Sequence, residues 1–303
     1  MSTPFFSFLR MSTKNKNLRE AYTFTMRQSF LLKLVPAALI AVFLGCNSLL
    51  TTPPTLGDSS NAFFNNPIVE ESPRVEPSTK WDVQDIDISE VDPSRKLIAF
   101  TFDDAPSRTL ENIFAVFTSF NEEHPDCRAS ATIFFNGRLF DAQTPHLLYT
   151  ASLLGFELGN HTYSHYDLTT LSPEEIRDEI DKTDALLKKA DGKDFHLLRA
   201  PFGKLNDNVK ACAKTPIIDW TIDTLDWTDV SEEYIYESVF NGKFSGAIVL
   251  MHDGYGNTVS ALKRLLPDLK EAGYQVVSVS KMIKAHGCQF QKGKVYIRAR
   301  KGH

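Results

Sequence analysis

The sequence predicts an α/β fold in which a parallel sheet, open or closed into a barrel, is covered by helices. Two observations predict it. From Lys96 onward, short apolar runs alternate with longer amphipathic stretches, the order found in folds built from strand–helix units. Reactive side chains also recur at the carboxyl ends of the strand-like runs. In parallel folds those ends share one face, where active sites are built.

The strand-like runs are short and separated by helix-like segments. They read LIAFTF, ASATIFF, GFELGN, FHLLRA, PIIDWTI, GAIVLMH and YQVVSVS. Among the segments between them, LSPEEIRDEIDKTDALLKKA has a clear start signal. Ser172 takes the N-cap position, Pro173 the first helical position, and Glu175 the position that completes a capping box. We therefore expect a helix that begins at Pro173.

Two N-terminal segments are predicted to lie outside the folded domain. Residues 1–46 carry Arg27 and Lys33 before an apolar run, which suits a signal peptide and is shorter than the ~20 residues of a spanning helix. The run ends in LGC at Cys46 and resembles a bacterial lipobox, so we expect an exported, membrane-anchored lipoprotein of the bacterial cell envelope. An ordinary cleaved signal and an uncleaved anchor are the alternatives. Residues 47–94, rich in Thr, Pro, Ser and Asn, are expected to form a flexible tether.

The rest of the chain is divided into a folded domain over residues 95–288 and a basic tail over residues 289–303, interpreted as a solvated terminus. The formal net charge of -5 gives no basic footprint, so no nucleic-acid partner is expected. A monomer is expected. Of the four cysteines, three remain if Cys46 is acylated, so at most one internal disulfide is predicted. The thiols are expected to pack as small apolar groups.

The candidate functional residues are polar side chains at the ends of the strand-like runs. They are Asp103 and Asp104 after LIAFTF, His161 and His165 after GFELGN, Arg199 in FHLLRA, Asp223 and Asp226 after PIIDWTI, and His252 in GAIVLMH. The two histidines are four apart, the spacing that places side chains on one face of a helical turn. Carboxylates and imidazoles are ligands of a catalytic zinc or similar divalent ion. Taken alone, these residues also fit helix caps and surface roles.

The zincin motif is excluded, because Thr162 follows the first histidine where that motif requires Glu. A different set of short motifs occurs in order along the chain. It consists of TFDDAP (101–106), HTYSH (161–165), RAPFG (199–203), DTLDW (223–227) and LMH (250–252). Together they resemble the motifs of the polysaccharide deacetylase family, carbohydrate esterase family four, over roughly residues 95–285. The resemblance implies a distorted (β/α) barrel with about seven parallel strands, fewer than the usual eight.

The resemblance also implies a divalent metal, with zinc as the expected ion, and an acetylated polysaccharide as the partner. Each matching residue takes a role from it. Asp103 would be the catalytic base, and Arg199 would be the partner that keeps it ionised. Asp104, His161 and His165 would be the metal ligands, and His252 would be the general acid. Phe202 would supply a backbone N–H for the oxyanion, and Trp227 and Leu250 would form walls of the substrate pocket. A carboxylate beside His252 would raise its pKa. We assign that carboxylate to Asp226, with Asp223 as the alternative.

The sequence departs from the family pattern at two positions. Ala105 stands where the family has Gly, and a positive φ there would cost about 1 kcal/mol and would shift Asp104. Phe202 stands where the family has Tyr. The backbone N–H is still present, but the lost hydroxyl alters the contacts available to a substrate.

The expected reaction is hydrolysis of N-acetyl groups on an N-acetylhexosamine polymer, a peptidoglycan or a chitin-like glycan. Metal-activated water, the Asp103 base and the His252 acid would carry it out. The expected envelope location favours peptidoglycan. One alternative is an O-acetyl esterase acting on xylan or another glycan, because an ester forms the same oxyanion. The other is a catalytically inactive carbohydrate-binding lipoprotein, for which Ala105 and Phe202 are the only openings in the sequence.

Overall fold

The computed structural model describes residues 81–300. The predicted signal segment 1–46, with Cys46, and residues 47–80 of the predicted tether lie outside the described residues. Among residues 81–300, none of the helices combines the length and the apolar composition that a transmembrane span requires. Export, lipid anchoring and a flexible tether over residues 47–80 stay predictions. For residues 81–94 the predicted tether is wrong, because hydrogen bonds join this segment to the folded domain.

Strands and helices alternate along residues 81–300. The strands are β1 (Lys96–Ala105), β2 (Thr132–Phe135), β3 (Glu157–Asn160), β4 (Ile217–Ile218), β5 (Ile222–Asp223), β6 (Ile248–His252), β7 (Tyr274–Val277) and β8 (Val295–Tyr296). The helices are α1 (Leu110–Glu123), α2 (Thr144–Leu153), α3 (Pro173–Asp191), α4 (Asp207–Cys212), α5 (Glu232–Gly242), α6 (Gly256–Glu271) and α7 (Val279–His286). Single 3₁₀ turns occur at Gly137–Leu139, Leu168–Thr170 and Pro201–Gly203.

The sheet is built around β1, and every pair of named strands in it is parallel. β1 pairs with β6 on one side; on the other it pairs with β7 through its first half and with β2 through its second half. β3 lies beyond β2, and β5 lies beyond β6. Leu198 bridges Asn160 of β3 to Ile217 of β4. The stretch 217–223 therefore borders the sheet at both ends, which gives the expected distorted barrel.

The core explains why β1 lies at the centre. Its residues from Leu97 to Asp103 are all buried, and apolar side chains of α1, α2, α5 and α6 pack over one face of the sheet. Phe117 of α1 makes edge contacts with Phe102 and Phe156, at ring-centroid distances of 6.3 and 4.8 Å. The central strand thus carries Asp103 and Asp104 near its carboxyl end, at the end of its run of buried residues.

The start of α3 confirms the predicted capping box. Ser172 is the N-cap, its hydroxyl accepts from the N–H of Glu175, and the Glu175 carboxylate accepts from the N–H of Ser172. The helix begins at Pro173. Its end is set by Gly192, whose φ of 78° favours glycine. Helix α3 therefore has a fixed position in the chain, and its buried face reaches the functional site described below.

The three cysteines in the described part of the chain, Cys127, Cys212 and Cys288, are buried and unpaired. Their packing as small buried groups agrees with the sequence prediction. Since no two of them are joined, the described domain is held by packing and hydrogen bonds rather than by a disulfide.

The two ends of the described chain pack onto the domain. At the N-terminal end, within the predicted tether, Lys284 of α7 donates to the carbonyl of Ile86 at 2.8 Å, and the N–H of Asp92 donates to the side chain of Gln275 at 2.8 Å. At the C-terminal end, β8 pairs with β4, and Phe290 is buried. Residues 289–300 thus differ from the predicted solvated terminus, because apolar residues between the cations pair with β4 and fill the core.

Candidate active site

The predicted functional residues meet at the carboxyl ends of the parallel strands. Asp103 and Asp104 are the two residues before the last residue of β1, and His252 ends β6, directly opposite Asp103 in the register of the two strands. His161 follows β3. The neighbouring strand-like segment, which bridges to Asn160 through Leu198, continues into Arg199. Residues that are far apart in sequence therefore meet at one edge of the sheet, as expected for polar residues at the carboxyl ends of parallel strands. This expectation is called the strand-end rule below.

Asp104, His161 and His165 form a cluster whose ligand atoms all lie within 4.8 Å of one another. Asp104 Oδ1 lies 3.2 Å from Nε2 of His165 and 3.6 Å from Nε2 of His161. Nδ1 of His161 lies 2.9 Å from the carbonyl oxygen of Arg199. Because a carbonyl can only accept, Nδ1 carries the proton, and the lone pair of Nε2 is available to bind a metal ion. Burial, followed by the charge of His161, lowers the pKa of His165 and favours its neutral form.

This cluster fits a divalent metal ion. Two imidazoles and one carboxylate are a ligand set used by catalytic zinc and by similar ions, with further positions left for water or substrate. The orientation of His161 by a main-chain carbonyl is the kind of outer contact that such sites use. Asp104, His161 and His165 would therefore hold the ion, as expected from the sequence.

The two histidines converge through a loop, and the expected helical turn is absent between residues 161 and 165. The backbone is instead left-handed at Thr162 and His165, with φ of 67° and 57°. The loop is fixed at both ends: the N–H of Thr162 donates to Oδ1 of Asn160 at 2.8 Å, and the N–H of Ser164 donates to Glu179 at 2.6 Å. Tertiary hydrogen bonds, and not helical periodicity, set the spacing.

Left-handed backbone is concentrated at this site. Within residues 81–300, the non-glycine residues with positive φ are Asp104, Thr162, His165, Phe202 and Leu225. Asp104 is the last residue but one of β1, Phe202 lies in the 3₁₀ turn Pro201–Gly203, and the other three lie in loops. Each such residue costs of the order of 1–2 kcal/mol, and clusters of them are typical of functional sites. Ala105 is not among them. The residue that needs positive φ is Asp104, so the Ala105 departure carries no backbone penalty of the kind considered above.

Asp103 lies beside the metal cluster and is paired with a buried arginine. Nη1 of Arg199 donates to Oδ1 of Asp103 at 2.8 Å, while Oδ2 of the same carboxylate lies 3.7 Å from His161. Arg199 also donates to Thr101 and to the carbonyl of Ile218, and its guanidinium lies over the Phe134 ring. Burial raises the pKa of Asp103, but the charges of Arg199, His161 and His252 outweigh it and lower the pKa below its usual value.

His252 is held by Asp226. Nδ1 of His252 lies 2.7 Å from Oδ1 of Asp226, and the N–H of His252 donates to Oδ2 at 2.8 Å. Thr258 also donates to Asp226, whereas Asp223 accepts from the N–H of Leu225. Asp226 therefore occupies the position beside His252 and Asp223 does not. Burial lowers the pKa of His252, but the hydrogen bond to Asp226 and the charges of Asp103 and Asp226 raise it overall.

A cavity of about 500 Å³ opens above these groups. Its walls include Phe202, 61% exposed, and Trp227, 53% exposed, while Leu250 is buried at its base. Trp220 and Tyr255 also line it and were missed from the sequence. Trp220 lies between β4 and β5, and Tyr255 follows His252 by three residues, so the strand-end rule applied to aromatic residues would have found both.

The comparisons with known proteins agree with this geometry. The profile of the polysaccharide deacetylase family matches residues 90–216. A peptidoglycan-N-acetylglucosamine deacetylase of Bacillus cereus is 35% identical over 214 residues, which cover 64% of this chain and 92% of the relative. The chain belongs to the polysaccharide deacetylase family.

Two further members of the polysaccharide deacetylase family show its breadth. A Bacillus subtilis peptidoglycan-N-acetylmuramic acid deacetylase is 33% identical over 192 residues, covering 63% of this chain and only 40% of that longer relative. A family 4 acetyl xylan esterase from Clostridium thermocellum, solved in complex with a cobalt ion, superposes with a TM-score of 0.61 at 25% identity and covers 67% of this chain and 98% of that one. The family thus includes relatives named for amide and for ester substrates.

Proposed function

We propose that this protein is a metal-dependent deacetylase that hydrolyses N-acetyl groups of an N-acetylhexosamine polymer. The observation that carries the proposal is that a metal-ligand cluster and a paired carboxylate lie next to each other at one edge of the sheet. The cluster is Asp104, His161 and His165, and the carboxylate is that of Asp103, which reaches both Arg199 and the cluster. A ligand cluster with an ionised carboxylate beside it can activate water for attack on an acyl carbon.

The chain's own residues divide the steps of hydrolysis between them. A divalent ion, with zinc as our assignment, supplies polarisation of the acetyl carbonyl and a lowered water pKa when bound. Asp103, kept ionised by Arg199, takes a proton from the attacking water. The N–H of Phe202 donates to the oxyanion that forms as the carbonyl is attacked. His252 donates its proton to the leaving nitrogen as the C–N bond breaks, releasing acetate and a free amine.

Peptidoglycan is our choice of polymer. The supporting observations are the signal-like segment 1–46 with its LGC motif, which favours work at the envelope, and the Bacillus cereus relative named for peptidoglycan. The exposed rings of Phe202 and Trp227 at the cavity mouth suit the apolar faces of sugar rings. Acetyl-xylan is the second candidate, since the structure superposes on an acetyl xylan esterase.

The test is acetate release by the purified, zinc-loaded protein from chitin oligomers, peptidoglycan, acetyl-xylan and a small aryl acetate, each with and without a chelator. We expect chelator-sensitive release from an N-acetylated glycan, restored when zinc is added back. Acetate release from acetyl-xylan alone would contradict the N-deacetylase proposal and support an O-acetyl esterase. Zinc binding without acetate release from any of the four substrates would contradict the enzyme and favour a carbohydrate-binding protein.

The raised pKa of His252 predicts the alkaline side of the pH–rate profile. The general acid must be protonated, so kcat should fall as pH rises through the pKa of His252, above its ordinary value of about 6.5. Replacing Asp226 by Asn removes the negative charge at 2.7 Å and lowers that pKa. The alkaline limb of kcat should then move to lower pH by about one unit.

Asp223→Asn is the matched control for this change. It removes a carboxylate from the wall of the same cavity, but Asp223 contacts the N–H of Leu225 and not His252. Its alkaline limb should stay where the natural protein has it. The measurement is kcat against pH with the glycan substrate. If the alkaline limb of the Asp226→Asn variant stays at the pH of the natural protein, His252 is not the general acid.

A further inference from the structure

The loop that carries the metal-ligand histidines and the strand residue before it contact helix α3. This helix lies outside the five sequence motifs given above. Two carboxylates on the buried face of α3 contact it. Glu179 accepts from the N–H of Ser164 at 2.6 Å, and Asp184 accepts from Nδ2 of Asn160 at 2.9 Å. Both carboxylates are buried, at 7% and 4% exposure. The helix therefore contacts the chain just before the loop and within it.

Asn160 is the connecting residue. It is completely buried at the end of β3, and its side-chain nitrogen donates to the carbonyl of Ile180 and to Asp184, both at 2.9 Å. These two donations fix which way the amide faces. Oδ1 of Asn160 is thereby aimed at the N–H of Thr162, at 2.8 Å, on the far side of His161. Thr162 has left-handed backbone, with φ of 67°, a conformation that a β-branched residue rarely adopts, and its N–H makes this hydrogen bond.

Asp184 is itself held from behind. His196, which matches no motif and is 3% exposed, places Nδ1 at 2.9 Å from Oδ1 of Asp184 and Nε2 at 3.2 Å from Asp191 at the end of α3. Oδ1 of Asp184 is thus shared between Asn160 and His196, while its Oδ2 has no hydrogen-bond partner in the described chain.

We propose that Asp184 is a positioning residue of the metal site. It orients the amide of Asn160, and Asn160 holds the turn that aims His161 and His165. The inference rests on the proposed function only through the metal cluster. Direct partners of the ligating side chains typically change metal affinity by 10–100-fold. Asp184 acts through Asn160 and the N–H of Thr162, so we expect an effect at the lower end of that range, about tenfold.

The test measures zinc affinity by competition with a chromogenic chelator, together with the thermal unfolding of the zinc-free protein. Asp184→Ala and Asn160→Asp are each expected to weaken zinc binding about tenfold. In the first, the acceptor that orients the amide of Asn160 is lost; in the second, two carboxylates face each other in a buried place. Asp181→Ala is the matched control, because it makes the same change on the exposed face of α3, where Asp181 pairs with Lys214. It should keep the natural affinity.

Asp184→Asn is the conservative variant. Its side-chain oxygen can still accept from Nδ2 of Asn160, so zinc affinity should stay near that of the natural protein. Natural affinity in folded Asp184→Ala or Asn160→Asp would overturn the proposal, because a purely structural role lowers stability alone. If those two variants do not fold, Asp184→Glu decides, because it moves the accepting oxygen by one methylene: about tenfold weaker zinc binding in the folded protein supports the proposal, and natural affinity overturns it.

This readout is separate from catalysis. Natural protein that binds no zinc would refute the proposed function. Natural protein that binds zinc, with an affinity indifferent to positions 160 and 184, would refute only the positioning role.

Discussion

An Asp103→Asn variant is expected to bind zinc as the natural protein does and to release acetate more slowly by about 10²–10⁴-fold, the usual contribution of a general base. Asparagine keeps the size of the side chain and an oxygen that can accept from Arg199. It lacks the negative charge needed to take a proton from water. Acetate release and zinc affinity, measured on the same preparation, check both halves of the expectation.

The stability of this variant needs a measurement of its own. Arg199 is buried beside Asp103, and removing one partner of a buried pair costs about 3–5 kcal/mol. The midpoint of thermal unfolding should therefore fall, and the assays belong well below it. Because Asp103 has a lowered pKa, its share of stability is present above the unfolded pKa and is lost as pH falls through the folded pKa.

Asp219→Asn is the matched control for Asp103→Asn. Asp219 lies near the same guanidinium, to which it offers its main-chain oxygen at 3.4 Å, and its carboxylate has no part in the proposed reaction. The control should keep both turnover and zinc binding. Turnover by Asp103→Asn above about a tenth of the natural rate would contradict the assignment of Asp103 as base, since a general base contributes more than that.

The sequence predicted which residues meet, and the reason is general. Parallel strands expose their carboxyl ends on one face, so the position of a polar residue at the end of an apolar run is sufficient to place it. The pairing of Asp103 with Arg199 was expected from the family resemblance. Asp226 was assigned to His252 because a nearby carboxylate would favour the protonated form that the acid role, taken from the resemblance, requires. The capping box of α3 was equally predictable, because its hydrogen bonds are local.

What the sequence did not reveal depends on tertiary contacts. The left-handed backbone at Thr162 coincides with a hydrogen bond to Asn160, and no local preference of threonine indicates it. The network of Asn160, Asp184 and His196 joins a strand, a helix and a loop that are distant in sequence. Residues 289–300 appeared to be a basic tail because their apolar residues are too few to form a recognisable run. Pairing with β4 gives those few residues a place to be buried.

A change at Asp104 should have the opposite pattern to Asp103→Asn, with zinc binding as the property that is lost first. Asp104→Gly is expected to weaken zinc binding by more than the 10–100-fold typical of a contact one step removed, because it takes away a ligand and leaves only His161 and His165. Glycine is the informative replacement, since φ at this position is 63° and glycine adopts it without penalty. The change therefore removes the carboxylate while sparing the backbone. Zinc affinity and acetate release are the measurements.

Ala105→Gly controls for the added glycine, because it makes the backbone more permissive at the next residue and leaves every proposed ligand in place. It should keep the natural zinc affinity. The two aspartate variants are then separated by their response to zinc: turnover of Asp104→Gly should rise as zinc is added, because occupancy is what it lacks, whereas turnover of Asp103→Asn should not. Natural zinc affinity in Asp104→Gly would mean that the ion is held elsewhere. A zinc-dependent recovery in Asp103→Asn would mean that Asp103 is a ligand and not the base.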